Sequence, residues 1–157
     1  MEEWALTIPL LIGSGIFATS VVIQVLAILG LLYFLRRRHQ LGKFDENLRV
    51  ATGALSGGML IVFVGHLFQV GLWAALFIRL GEFESYATAF YHSMVNFSSL
   101  GYGDIVMSER WRLLGAMEAT GGILMFGIST GVGLAVFTTL IRRFGRQESE
   151  IRKESAP

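Results

Sequence analysis

Ser98-Ser99-Leu100-Gly101-Tyr102-Gly103-Asp104 is a short run of hydroxyls, alternating glycines and one carboxylate set between strongly apolar stretches. Glycine takes left-handed backbone angles without a steric penalty, so Gly101 and Gly103, spaced by larger residues, allow alternating backbone hands that aim successive carbonyls to one side. Immediately upstream, Glu84 to Phe97 is mixed polar and aromatic. Its fourteen residues reach roughly 21 Å as a helix, whereas a full crossing takes roughly 20 residues. The pattern predicts a helix that enters a membrane and stops near its middle, followed by a return of bare backbone. Such backbone is tolerated at that depth only where it is buried in protein or lines a water-filled path, because unpaired amides in hydrocarbon are costly.

Uncharged runs lie on both sides of this segment. Val50 to Ile78 has 29 residues without Asp, Glu, Lys or Arg, carries His66 and Gln69, and ends at Arg79. Leu113 to Ile141 has another 29 with a single charge, Glu118, and ends at Arg142 and Arg143. Further out, Trp4 to Leu35 gives 32 uncharged residues before Arg36, Arg37 and Arg38. Three transmembrane helices are predicted. Glu2 and Glu3 stand where a signal peptide would carry cations, and the first run exceeds a cleavable apolar region, so it is read as a retained helix with Pro9 in its first turns.

Of 157 residues, 53% are hydrophobic and 16% charged, a balance too apolar for an ordinary soluble domain. The length is too small for a large multidomain enzyme, and the lack of Cys excludes disulfides, thiolate zinc sites and cysteine nucleophiles. No paired carboxylates, activated nucleophile or metal-ligand cluster stands at helical spacing, so no enzyme and no cofactor are expected. Gly53 to Gly58 lacks the Lys and Ser or Thr of a phosphate loop and is read as packing. No span repeats Arg at every third position, which excludes a voltage sensor. The 16 residues beyond Ile141 are read as too few for a cytoplasmic ligand-binding domain.

Cations decide the orientation, because Lys and Arg near helix ends stay in the cytoplasm. Arg36, Arg37, Arg38, Lys43, Arg49, Arg142, Arg143, Arg146, Arg152 and Lys153 fall on one side, against Arg79, Arg110 and Arg112 on the other. The amino terminus is therefore expected outside and the carboxyl terminus inside. With Asp45, Glu46, Glu148, Glu150 and Glu154 the inner side nets +5. Glu2, Glu3, Glu82, Glu84, Asp104 and Glu109 bring the outer side to −3, a face that attracts cations. Trp4 and Trp111 are assigned to the outer interface and Tyr33 to the inner one.

The Ser98 to Asp104 run resembles the selectivity-filter signature of potassium channels, whose usual form is Thr-Thr-Val-Gly-Tyr-Gly-Asp. The resemblance extends from Val50 to Ile141 and implies a pore module of outer helix, pore helix, filter and inner helix. The fold class it implies is an all-α membrane protein: three transmembrane helices plus a re-entrant pore helix and filter loop, assembled as a tetramer. The chain then divides into an N-terminal helix with a basic loop (1–49), the pore domain (50–141) and a basic tail (142–157).

By the mechanism established for such filters, rings of backbone carbonyls replace the hydration shell of the ion. The resemblance assigns ion binding to Ser99, Leu100, Gly101, Tyr102 and Gly103, with K⁺ held at Ser99 to Tyr102 and the Ser99 hydroxyl adding a ring at the inner end. One chain supplies a quarter of each ring, so a homotetramer is implied. Ser98, Asp104, Tyr91, His92 and Glu118 are assigned to filter support. The expected pore helix is capped by Ser85, has Glu82 and Glu84 near its start, and directs the negative dipole end at Val95, Asn96 and Phe97 toward the membrane centre. Leu100 replaces the usual Val, Ser98 and Ser99 replace Thr, His92 replaces an aromatic, and Val95 stands where some relatives pair an acid with the filter Asp.

Glu118 is the one carboxylate in a span and needs a partner. A hydrogen bond behind the filter is expected, from Asn96 or Ser98, or from the second-span face of His66, Gln69 and Trp73. His66 is read as a hydrogen-bonded structural residue. Six glycines between Leu113 and Ile141 have two readings, close packing and a bend. The hinge would fall at or beside Gly122, with Phe126, Thr130 and Phe137 in the lower pore. The function expected is a passive, potassium-selective channel in the plasma (inner) membrane, with lipid and permeant monovalent cations as partners and no nucleic acid. A nonselective cation channel and a nonconducting pore-like subunit are the alternatives.

Overall fold

The computed structural model describes the backbone of residues 2–40 and 48–154, and the side chains of residues 6–38, 50–139, 141 and 142. Four helices follow one another: α1 Glu2–Gln40, α2 Leu48–Arg79, α3 Tyr86–Phe97 and α4 Arg112–Glu154. No β-sheet strand occurs among the described residues, and the strand that follows α3 is only an extended stretch of chain. Three of the helices hold stretches long and apolar enough to cross a membrane, Leu6–Arg38, Val50–Arg79 and Arg112–Thr139. Lys43, Asp45 and Glu46 lie outside the described residues, as do the side chains of Glu2, Glu3, Trp4, Arg49, Arg143, Arg146, Glu148, Glu150, Arg152, Lys153 and Glu154.

Helix ends differ from the charge-free runs because a helix need not stop where the hydrocarbon does. α4 has 43 residues, roughly 65 Å of helix against a hydrocarbon core of ~30 Å. Its backbone carries the helix through the basic tail. α1 likewise begins at Glu2, which places Pro9 inside the helix rather than at its start.

α1 packs on both α2 and α4, and α3 sits against α2 and α4. Lipid tails are as apolar as Leu, so small residues and hydrogen bonds, rather than exclusion of water, hold such helices together. Gly57 and Gly58 of α2 receive Phe34 and Leu31 of α1, and Gly65 receives Ala27. Gly121 of α4 receives Phe17, and Met117 fills the space over Gly13.

A buried polar cluster ties the three long helices. Gln24 Nε2 donates to Ser129 Oγ at 2.9 Å, and Gln69 Nε2 donates to Gln24 Oε1 at 3.0 Å. Ser129 Oγ gives its one proton to the Met125 carbonyl at 2.9 Å. His66 Nε2, 3.1 Å from the same oxygen, is therefore its second donor.

This arrangement corrects two expectations. His66 and Gln69 serve the cluster with Ser129 and Gln24 rather than reaching Glu118, and Trp73 packs in a core with Phe77, Trp111 and Leu114. Trp111 is only 8% exposed, so its ring is buried in the protein core. The guanidinium of Arg110 covers its ring at 5.0 Å. Tyr33, by contrast, is exposed on α1.

Candidate functional site

α3 is amphipathic, and its buried residues Ala89, His92, Ser93, Val95 and Phe97 face the long helices. Ser85 occupies its N-cap in an extended conformation, but the hydroxyl makes no capping bond. Glu82 is also drawn elsewhere. α2 closes with Gly81 at φ 76°, and the turn releases Glu82 toward the loop that follows the glycine-rich segment. There its carboxylate accepts from Ser108 N and Ser108 Oγ, both at 2.7 Å. Ser85 thus stands at the N-cap as expected but without a capping bond from its hydroxyl, and Glu82, close to the start of α3, clamps the far end of the site.

The segment after α3 folds back on the helix end. Leu100 N donates to the Val95 carbonyl at 3.0 Å, Ser99 N to the Asn96 carbonyl at 2.8 Å and Ser98 N to the Met94 carbonyl at 3.1 Å. Ser98 Oγ adds a 3.2 Å bond to Val95 O. Carbonyls that the last turn would leave bare are thereby used by the returning strand.

From Ser99 the backbone alternates in hand: φ is 58° at Ser99, 61° at Gly101 and 71° at Gly103. Gly101 and Gly103 were anticipated, whereas Ser99 is a non-glycine residue in the left-handed region, an uncommon conformation of the kind that clusters at functional sites. Ser98 through Asp104 is exposed, with Leu100 54% and Tyr102 66% accessible. The strand therefore presents an open face to whatever lies beside this chain. Ser99 Oγ reaches toward the Ala119 carbonyl of α4 at 3.5 Å.

Behind the strand the side chains form a connected set. Tyr91 Oη donates to Asp104 Oδ2 at 2.8 Å, so the Asp104 carboxylate finds the partner that Val95 does not supply. That bond, with the negative charge beside it, holds the Tyr91 phenol above its ordinary pKa. His92 packs in a three-ring cluster with Phe77 and Phe83, with Nδ1 3.1 Å from the Ile105 carbonyl and Nε2 2.9 Å from Asn96 Nδ2. Within this chain Tyr91 and His92 thus meet Asp104 and Ile105, the residues just beyond Tyr102 and Gly103.

Glu118 is fully buried between α3 and α4. Its Oε1 meets Ser93 Oγ, whose single proton serves either that oxygen or the Val70 carbonyl 2.9 Å away, and Asn96 lies beside the same carboxyl. Ser98 does not take part. Ser93 escaped sequence reading, although its place on the face of α3 shared with Ala89, Asn96 and Phe97 was a signal for it. Gly122 is buried where α4 meets the end of α3, its Cα against the Phe97 carbonyl. Phe126 stacks edge-on against Phe97 and His66, while Thr130 and Phe137 lie on the exposed side of α4.

A family model described as ion channel matches residues 61–147, more than half of the chain. The matched region runs from within α2 through α3 and the glycine-rich strand into α4. No curated protein and no solved structure matches the chain.

Proposed function

The chain belongs to the ion channel family, through a two-helix pore domain of potassium-channel type, and on that premise we propose that it conducts K⁺ passively through a filter built from Ser99 to Gly103 of four copies. One observation carries the reading. Three left-handed residues in alternate positions, Ser99, Gly101 and Gly103, lie in an exposed strand anchored to the end of a short helix. Alternation of hand turns successive carbonyls the same way, and a ring of such strands supplies the oxygens a dehydrated cation requires. Without them an ion entering low dielectric would face a penalty of tens of kcal/mol.

In this reading α3 is the re-entrant pore helix, α2 and α4 are the outer and inner helices, and α1 is an added peripheral helix. K⁺ is the permeant ion, held in turn at Ser99, Leu100, Gly101 and Tyr102. Asp104, Ser98, Tyr91, His92 and Glu118 brace the strand, and Gly122 sits at the junction of filter support and inner helix. The protein is placed in the plasma (inner) membrane with its amino terminus outside, by the distribution of Lys and Arg.

Purified protein reconstituted in liposomes tests the reading. With K⁺ inside and Na⁺ outside, the reversal potential is expected near the K⁺ equilibrium value, and the particle mass in detergent is expected at four chains. Equal permeability would assign a nonselective cation channel, a consequence of Leu100 and the two serines. Absence of flux from well-folded tetramers would assign a nonconducting subunit.

A further inference from the structure

His92 is held by two partners that each have a single hydrogen-bonding role. The Ile105 carbonyl only accepts, so Nδ1 carries a proton and donates to it at 3.1 Å. The Asn96 Nδ2 group only donates, so Nε2 is bare and accepts from it at 2.9 Å. Both bonds are satisfied by one species, the neutral imidazole protonated at Nδ1. An imidazolium would turn a second N–H against the amide NH₂, two donors face to face.

What makes this a lever is the other side of Asn96. The same side chain lies beside the Glu118 carboxyl, whose Oε2 is a fully buried oxygen without a hydrogen bond among the described residues. Gly115 of α4 leaves the room this amide occupies, since a Cβ there would lie 3.0 Å from Asn96 Nδ2. A proton arriving at Nε2 forces Asn96 to rotate and offer its carbonyl to His92, which turns the amide NH₂ from its place over Gly115 and beside Glu118. Glu118 in turn holds Ser93, whose hydroxyl links α3 to the Val70 carbonyl of α2.

We propose that His92 is a proton-responsive positioning residue of the filter: neutral, it holds Asn96 in its seat against Gly115 and beside Glu118, and protonated, it releases it. The charged groups that face it are the Asp104 carboxylate from the filter strand and the Glu82 carboxylate from the turn after α2. α2 presents the Phe77 ring, the turn after it adds Phe83, and α4 contributes Glu118 through Asn96. On the proposed orientation the proton comes from the outer solution, because His92 bonds the Ile105 carbonyl next to the exposed Asp104.

The inference rests on the channel reading for its flux consequence and on the geometry alone for its structural one, and two measurements separate them. The first is K⁺ flux from liposomes as the outer pH is lowered from 8 to 5, the range in which imidazole titrates. Flux is expected to fall about fivefold, the shift that losing one buried hydrogen bond brings. His92→Gln and Asn96→Leu are expected to flatten the response, while His66→Gln keeps it. The second is nitrogen NMR of the wild-type protein in bilayers. The chain has three histidines, so one substitution assigns His92; it is expected as the Nδ1–H tautomer at neutral pH, with the Asn96 amide resonances moving in step with its titration. Flux without pH dependence, or an Asn96 amide indifferent to His92, overturns the proposal and leaves the channel standing. Coupled titration without flux at any pH overturns the channel and leaves the relay standing.

Discussion

Gly122 lacks a side chain where the backbone carbonyl of Phe97 already occupies the place of a Cβ. The obstacle is main chain at the end of α3 and cannot swing aside. Gly122→Ala is therefore expected to push α3 and its strand away from α4, at an overpacking cost of about 1–3 kcal/mol. Gly127 and Gly131 have nothing within 4 Å of an added Cβ, so alanine there changes the helix and not its contacts. Thermal melting and reversal potential together check this. Gly122→Ala should lower the midpoint and reduce discrimination of K⁺ from Na⁺, while Gly127→Ala changes neither. A Gly122→Ala protein with wild-type melting and selectivity would contradict the packing role. Glycine spacing in the sequence marks both kinds of position alike, because it records the absence of a side chain but not what fills the space.

Among the helices, α1 lies outside the region matched by the ion channel family, yet Gln24 makes it part of the same hydrogen-bonded unit as α2 and α4. Its amide donates to Ser129 and accepts from Gln69, so removing it leaves the buried Gln69 amide without its acceptor and takes one of two donors from Ser129. Interhelical hydrogen bonds in membranes contribute on average ~0.6 kcal/mol and at most ~1.7. A double-mutant cycle of Gln24→Leu and Ser129→Ala is expected to give a coupling energy in that range, read from unfolding in mixed micelles. Additive effects would mean that α1 is held by its glycine seams alone. The crossing helices themselves were legible from charge-free length, whereas this cluster was not: one Gln in α1, one His and one Gln in α2 and one Ser in α4 show no partnership until the helices are packed.

At the scale of the whole molecule, the separation of ten cations from three predicts which face meets the cytoplasm. The absence of Cys makes the prediction convenient to check, because any cysteine introduced is unique. Glu109→Cys and Arg142→Cys both replace exposed residues. In intact cells a membrane-impermeant maleimide is expected to label Glu109→Cys, and to reach Arg142→Cys only after permeabilisation. The reverse pattern would place the glycine-rich strand on the cytoplasmic side.

Three crossing helices, the short helix before the glycine-rich strand and the alternation of glycines followed from the sequence, because membrane thickness and backbone sterics act on length, charge and residue type alone. The partners of the buried polar groups did not. Glu82 pairs with Ser108 instead of the start of α3, Glu118 with Ser93, and His66 with Ser129. A hydrogen bond depends on angstrom-scale approach between elements far apart in the chain, and that distance exists only once the helices have chosen their faces.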